Sequence, residues 1–220
     1  MLILPFALAL GVLAGIATGG SLRALGQLRF RFPALVLGAI ALQAAVGLPW
    51  LGHWPSGLRF ALVVVSYLMV GGWLLDQARH SHRGVRSGYV LVTAGWVANL
   101  LAIVSNGGMP VSRAALIRAG LSPSTNVAVG HLSKHVAATS GTRLAWLGDT
   151  IPVAMFRSVI SPGDIVMALG IVVMVAAATR TAAIHLDAGR AAGEVGSAPK
   201  CSDPPPPSPH GAIVTSEQVT

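Results

Sequence analysis

The sequence predicts an all-α fold: a polytopic membrane helix bundle of about five transmembrane helices, with a structured outer-face segment and a disordered C-terminal tail. Three observations predict it. Of the 220 residues, 53% are apolar and only 10% charged, whereas soluble domains carry about a quarter charged residues. The apolar residues gather in blocks near the ~20 that a helix needs to cross a bilayer. They do not form the roughly ten-residue alternating segments of a membrane barrel.

The blocks fall at about 2–19, 33–51, 58–75, 88–105 and 163–180. None holds Asp, Glu or Lys in its central part, and Arg59 and Arg180, near block ends, can snorkel to headgroups. The first block has no Lys or Arg before it and a weak cleavage site, so it reads as a retained span rather than a secretory signal. Residues 1–185 form the membrane domain on this reading, with 106–162 as its outer segment. Beyond 186, four consecutive prolines (Pro204 to Pro207) and many small residues predict a disordered tail.

Charge predicts the orientation. Arg23, Arg29 and Arg31 follow the first block, Arg79, Arg83 and Arg86 follow the third, and Arg180, Arg190 and Lys200 follow the fifth. By the positive-inside rule these segments face the cytoplasm and the N-terminus faces out. A sequence pI near 11.3 then reflects attraction to anionic membrane lipids, because the arginines lack the interleaved aromatics of a nucleic-acid surface. No nucleic-acid partner is expected. Cys201 is the only cysteine, so no disulfide can form within the chain.

Lipid does not press helices together, so close packing and buried polar contacts must hold them. Gly11, Gly15 and Gly19 give the first block a smooth face for a neighbour, either a protein partner or a second copy. Gln43, Ser66, Tyr67, Thr93 and Asn99 place polar atoms in the other blocks. An amide facing lipid leaves its groups unpaired at a cost of several kcal/mol, so Gln43 and Asn99 should face inward. Asn106 lies two turns beyond Asn99 on the same stripe.

The stretch "SNGGMPVS" ends the fourth block. Asn106, Gly107, Gly108 and Pro110 match a helix stop with a left-handed residue followed by proline. Ser112 can cap a short helix that Gly120 closes. Further on, His131 and His135 are four apart, the spacing of two metal ligands, but Leu132 stands where a zinc protease has its glutamate. Two surface histidines are the plainer reading. Asp149 can be satisfied by a local turn or by Arg143, among apolar neighbours that suggest a segment lying in the membrane interface. In "SPGD", Ser161, Pro162 and Asp164 read as an acidic variant of the capping box opening the fifth span.

"NLLAIVSNGGMPVS", "TRLAWLGDTIP" and "SPGDIVMALG" together resemble a family of small bacterial multi-pass membrane proteins of unknown function, over about residues 1–180. The resemblance implies a fold and a membrane address and no reaction. The positions it picks out include Asn99, Asn106, Gly107, Gly108, His135, Arg143 and Asp149, and leave out His131 and the tail.

Three function classes follow. A structural or accessory membrane component needs only capped helices and an ordered outer segment. A membrane-embedded enzyme acting at the outer face would use His135 or Asp149 as acid or base and Arg143 to hold a lipid-linked or anionic substrate. Asn99, Asn106, Gly107 and Gly108 would then line the ligand site. A small-solute transporter comes third, since no ionisable group or broken helix stands at mid-membrane. No Walker loop, dinucleotide fingerprint or cysteine cluster is present, so no cofactor is expected.

Overall fold

The computed structural model describes residues 3–26, 30–48, 54–122 and 135–196, with side chains described as far as Arg180, Ala24 excepted. His131 and the chain beyond Gly196, including the proline run, lie outside the described residues. The helices are α1 (Ile3–Ala17), α2 (Leu22–Leu25), α3 (Pro33–Val46), α4 (Ser56–His80), α5 (Arg83–Asn106), α6 (Arg113–Arg118) and α7 (Pro162–Gly196). Between α5 and α7 lie four three-residue strands: β1 (Met109–Val111), β2 (His135–Ala137), β3 (Ile151–Val153) and β4 (Ser158–Ile160), with short 3₁₀ turns at Ala145–Leu147 and Ala154–Phe156. Strands β1 and β2 pair in parallel, and β3 and β4 form an antiparallel pair.

Of the five expected spans, three have the length for a crossing. Among the described residues three helices are long and apolar enough to cross a membrane: α4, α5 and the Pro162–Arg180 part of α7. Helices α1 and α3 are apolar but shorter, at 15 and 14 residues, about 22 Å at 1.5 Å per residue. Past Ala17, Gly19 turns left-handed at φ 85°. Helix α3 begins at the expected Pro33, after a left-handed Phe32, and ends at Val46 before Gly47. Helix α7 runs from Pro162 to Gly196, and the chain divides into two compact units at His185 and Leu186.

The long helices alternate in direction and give the bundle two distinct ends. At one end sit the starts of α1, α4 and α7 and the finish of α5, where Ala102, Ile103, Met109 and Leu147 form a buried cluster flanked by Phe60 and Tyr67. At the other, Leu74, Ala78, Val85, Tyr89 and Ala178 form a second cluster. There Asp76 meets Arg31 at 3.3 Å and His80 at 3.2 Å, while the Gln77 amide and the Trp73 indole donate to the Arg31 carbonyl at 2.8 and 2.7 Å. Arg180 closes this end by donating to Thr18 Oγ1 at 2.8 Å. The described parts of the segment between α5 and α7, 107–122 and 135–161, cap the first end.

Small residues let α7 pack closely on two neighbours. A Cβ at Gly11 would press on Val172 and Val175, and one at Gly15 would overlap Thr179. The groove expected to receive another chain therefore receives α7 of the same chain at these two positions. Gly19 has open space and takes no part. On α7's other side, Gly88 faces Met174, Gly95 faces Gly163 and Met167, Gly163 lies against Asn99, and Gly170 faces Val92. These glycines recur every seven residues on both helices, which keeps them on one facing seam. Gln43 faces inward, donating to Ser66 Oγ at 3.0 Å.

Two glycine substitutions should differ in their cost. Gly163→Ala places a methyl on the Asn99 amide and should lower stability by about 1–3 kcal/mol, as overpacking does. Gly107→Ala meets no atom within 4 Å but keeps φ 71°, so only the left-handed strain of about 1–2 kcal/mol applies. Thermal unfolding in detergent with added Asn99→Leu/Gly163→Ala distinguishes them. The double substitution should couple strongly to Asn99, and additive losses would contradict the packing.

Candidate functional site

The site is organised by β1. Helix α5 ends at Asn106, Gly107 turns left-handed, and Met109, Pro110 and Val111 run buried across the bundle end. On one side β1 pairs with β2, placing Met109 opposite His135. On its other side Asp149 N donates to Pro110 O at 2.8 Å and Ser112 N donates to Asp149 O at 3.0 Å. Gly148 allows this approach, since a Cβ there would strike the Pro110 carbonyl. One three-residue strand thus brings together two residues that are 14 apart in sequence.

The side chains of those residues meet. His135 Nε2 lies 3.4 Å from Asp149 Oδ2, with the imidazole about half exposed and the carboxylate 10% exposed. Burial pushes the Asp149 carboxyl above the ordinary range, the hydrogen bond and charge of His135 pull it back, and Asp164 nearby pushes it up again. Tyr67 stands within the electrostatic reach of both carboxylates. A buried carboxylate behind a half-exposed imidazole fixes the ring's orientation. Such a pair can give or take a proton at the protein surface.

The other sequence candidates do structural work. Asn106 holds the main chain of Arg143 at two points: its Nδ2 donates to Arg143 O at 2.7 Å and its Oδ1 accepts from Arg143 N at 2.8 Å. It also donates to Ala102 O at 2.8 Å. Of the two partners the sequence offered Asp149, a local turn or Arg143, the Arg143 side chain is exposed, and the carboxylate meets His135 because β1 aligns β2 beside it. Asn99 donates to Asp164 Oδ1 at 2.9 Å and accepts from Ser161 Oγ at 2.9 Å. Asn99 therefore faces α7 rather than a ligand space. Ser161 and Asp164 exchange the two bonds of a capping box at 3.0 Å each. Gly107 serves the helix stop, and Gly108 is buried beside β1.

The metal reading rested on His131 and His135, and His131 lies outside the described residues. His135 and Asp149 together offer two ligands, fewer than the three or four protein ligands of zinc sites. Among the described residues no group of three His, Cys, Asp or Glu side chains gathers. Sequence reasoning missed Tyr67 as a neighbour of the carboxylates. Leu147, one of the apolar neighbours of Asp149 in the sequence, is buried in one cluster with Ala102 and Ile103.

A family model described as "Family of unknown function (DUF5317)" matches residues 27–176. The chain belongs to this family. The matched span holds every motif from Asn99 to Asp164 and is narrower than the 1–180 of the sequence resemblance, leaving α1 before it. No curated protein and no solved structure matches the chain.

The pair has a pH signature. A carboxyl raised by folding contributes stability that is full below its ordinary value of 3.8 and is lost as pH rises through the folded value. The melting temperature of the wild type relative to Asp149→Asn should therefore fall as pH rises above about 4. A rise instead would show that the attraction to His135 outweighs the burial.

Proposed function

We propose that this chain is a multi-pass protein of a bacterial cell membrane, crossing five times, that acts as a structural or accessory component without catalysis of its own. The observation that supports it is the use of the motif residues: Asn99, Asn106, Ser161 and Asp164 are bonded to one another or to the main chain. They fasten the cap to the bundle. Three helices meet the length for crossing. Helix α1 supports a further crossing because its ends meet both ends of the bundle, through Phe6 on Phe156 and Thr18 on Arg180. Helix α3 lies along α4 from Arg31 beside Asp76 to Gln43 on Ser66.

Arg31, Arg79, Arg83 and Arg180 stand at the end opposite the cap, so the positive-inside rule places the cap and the N-terminus outside. A second reading is favoured by one observation, the half-exposed His135 over buried Asp149. On that reading the protein is an outer-face enzyme acting on a lipid-linked or anionic substrate, with the pair as acid and base.

Complementation separates the two. Cells lacking the protein should recover fitness when given His135→Gln or Asp149→Asn variants that reach the membrane at wild-type levels. Loss of rescue by these folded variants would favour the enzyme. For topology, an impermeant thiol reagent applied to intact cells should label Ser124→Cys and leave Cys201 unlabelled. The reverse pattern would invert the orientation.

A further inference from the structure

Two short turns of the cap share a construction. In the first, exposed Arg143 and Leu144 lead into the 3₁₀ turn that carries Trp146, 67% exposed. In the second, the 3₁₀ turn carries Met155, 84% exposed, and leads into exposed Arg157. Each turn therefore shows a large apolar side chain to its surroundings, with an arginine two or three residues away. Each is also bounded by a non-glycine residue in the left-handed region, Leu144 at φ 49° and Arg157 at φ 44°. Such backbone persists only where neighbouring contacts impose it. Those contacts are present: Asn106 grips the Arg143 main chain, and Arg157 donates to the Gly120 carbonyl at 3.0 Å.

Contacts with the helices give the depth of both turns. Leu147, next to Trp146, is buried against Ala102 and Ile103, about one turn inside the finish of α5. Phe156, next to Met155, lies 6.3 Å between ring centroids from Phe6 in the first turn of α1. Both tips thus stand level with the terminal turns of the bundle. The surface at that level continues directly from the exposed aliphatic faces of the helices, where Leu101 and Val104 are each 50% exposed on α5 and Leu4 and Leu8 about as exposed on α1.

We infer that the Trp146 and Met155 turns are two feet by which the cap seats in the interfacial layer of the adjacent lipid leaflet, with Arg143 and Arg157 at the level of the lipid phosphates. The inference rests on the membrane reading of the bundle. Tryptophan favours this layer because its ring is amphipathic. An exposed methionine and leucine there leave water, while an arginine alongside keeps its head among anionic groups. The occupant of this surface is therefore lipid, and the cap lies on the membrane rather than standing away from it.

Full-length protein with Cys201→Ser, carrying a single Cys at Trp146→Cys, Met155→Cys or Val97→Cys, is labelled with an environment-sensitive fluorophore and placed in phosphatidylcholine/phosphatidylglycerol vesicles. Quenchers are lipids bearing a nitroxide near the headgroup or deep in the chain, and iodide in water. Labels at 146 and 155 should be quenched at least about twofold more by the shallow nitroxide than by the deep one, with little effect of iodide, since the interface lies outside the hydrocarbon core. Val97, exposed in the middle of α5, should respond to the deep nitroxide. If Val97 responds and positions 146 and 155 are instead open to iodide and untouched by either nitroxide, the seat is wrong and the cap faces water. If Val97 itself fails to respond, the membrane reading falls with it.

Discussion

A side-chain amide in an apolar helix must be answered by other protein atoms, and α5 carries two of them on one stripe. Asn99 answers the start of α7 and Asn106 answers the cap, so a single helix aligns both. Removing Asn99 leaves buried donors and acceptors without partners, at about 1–3 kcal/mol each. That exceeds the average interhelical bond in a membrane, about 0.6 kcal/mol, because the partners here are a capping serine and aspartate already committed to α7's first turn. The position of α7 in turn sets the glycine seams on both its sides. The cap's β1 strand begins where α5 ends, so its register also follows from Asn106 and Gly107.

The seams explain how a bundle with few polar contacts stays specific. Glycines at 88, 95, 163 and 170 bring α5 and α7 into backbone contact, where dispersion acts over many atom pairs. Gly11 and Gly15 do the same for α1 and α7. Helices α3 and α4 instead use Gln43 on Ser66, and α4 and α5 use the Tyr67 and Trp96 rings stacked at 4.5 Å with the Trp96 indole donating to Tyr67 O at 2.9 Å. Each helix pair has its own device, which discourages exchange of neighbours.

Local chemistry was legible in the sequence, and long-range pairing was not. The Ser161–Asp164 box, the stop at Asn106 and Gly107, the Ser112 cap on Ala115 and the left-handed Gly120 are written in a few adjacent residues, and the structure has each of them. The inward amides were legible because hydrocarbon offers no alternative partner. Strands of three residues carry no readable period, and a parallel pair separated by 24 residues depends on closing a long loop. Hence the sequence left Asp149 between a local turn and Arg143, and the partner it meets is His135. The length of α1 was not legible because apolar composition continues past Ala17 to the left-handed Gly19.

The cap's rigidity bears on what it can do. It is tied to α5 through Asn106, to the α4–α5 crevice through Leu147, to α1 through Phe156 and to α7 directly through Ser161. Four attachments to four elements leave little freedom for the segment to open as a hinge, so whatever meets His135 meets a surface already formed. A preformed surface lowers the ordering cost of association for a partner or a lipid. The same rigidity keeps Asp149 buried next to a second carboxylate, an arrangement that costs stability when both are ionised and that folding alone would not need. An asparagine at 149 could make the same main-chain bonds to Pro110 and Ser112 without that charge. The carboxylate is thus a feature of the cap that these main-chain bonds do not require, and its described side-chain partner is the exposed imidazole of His135.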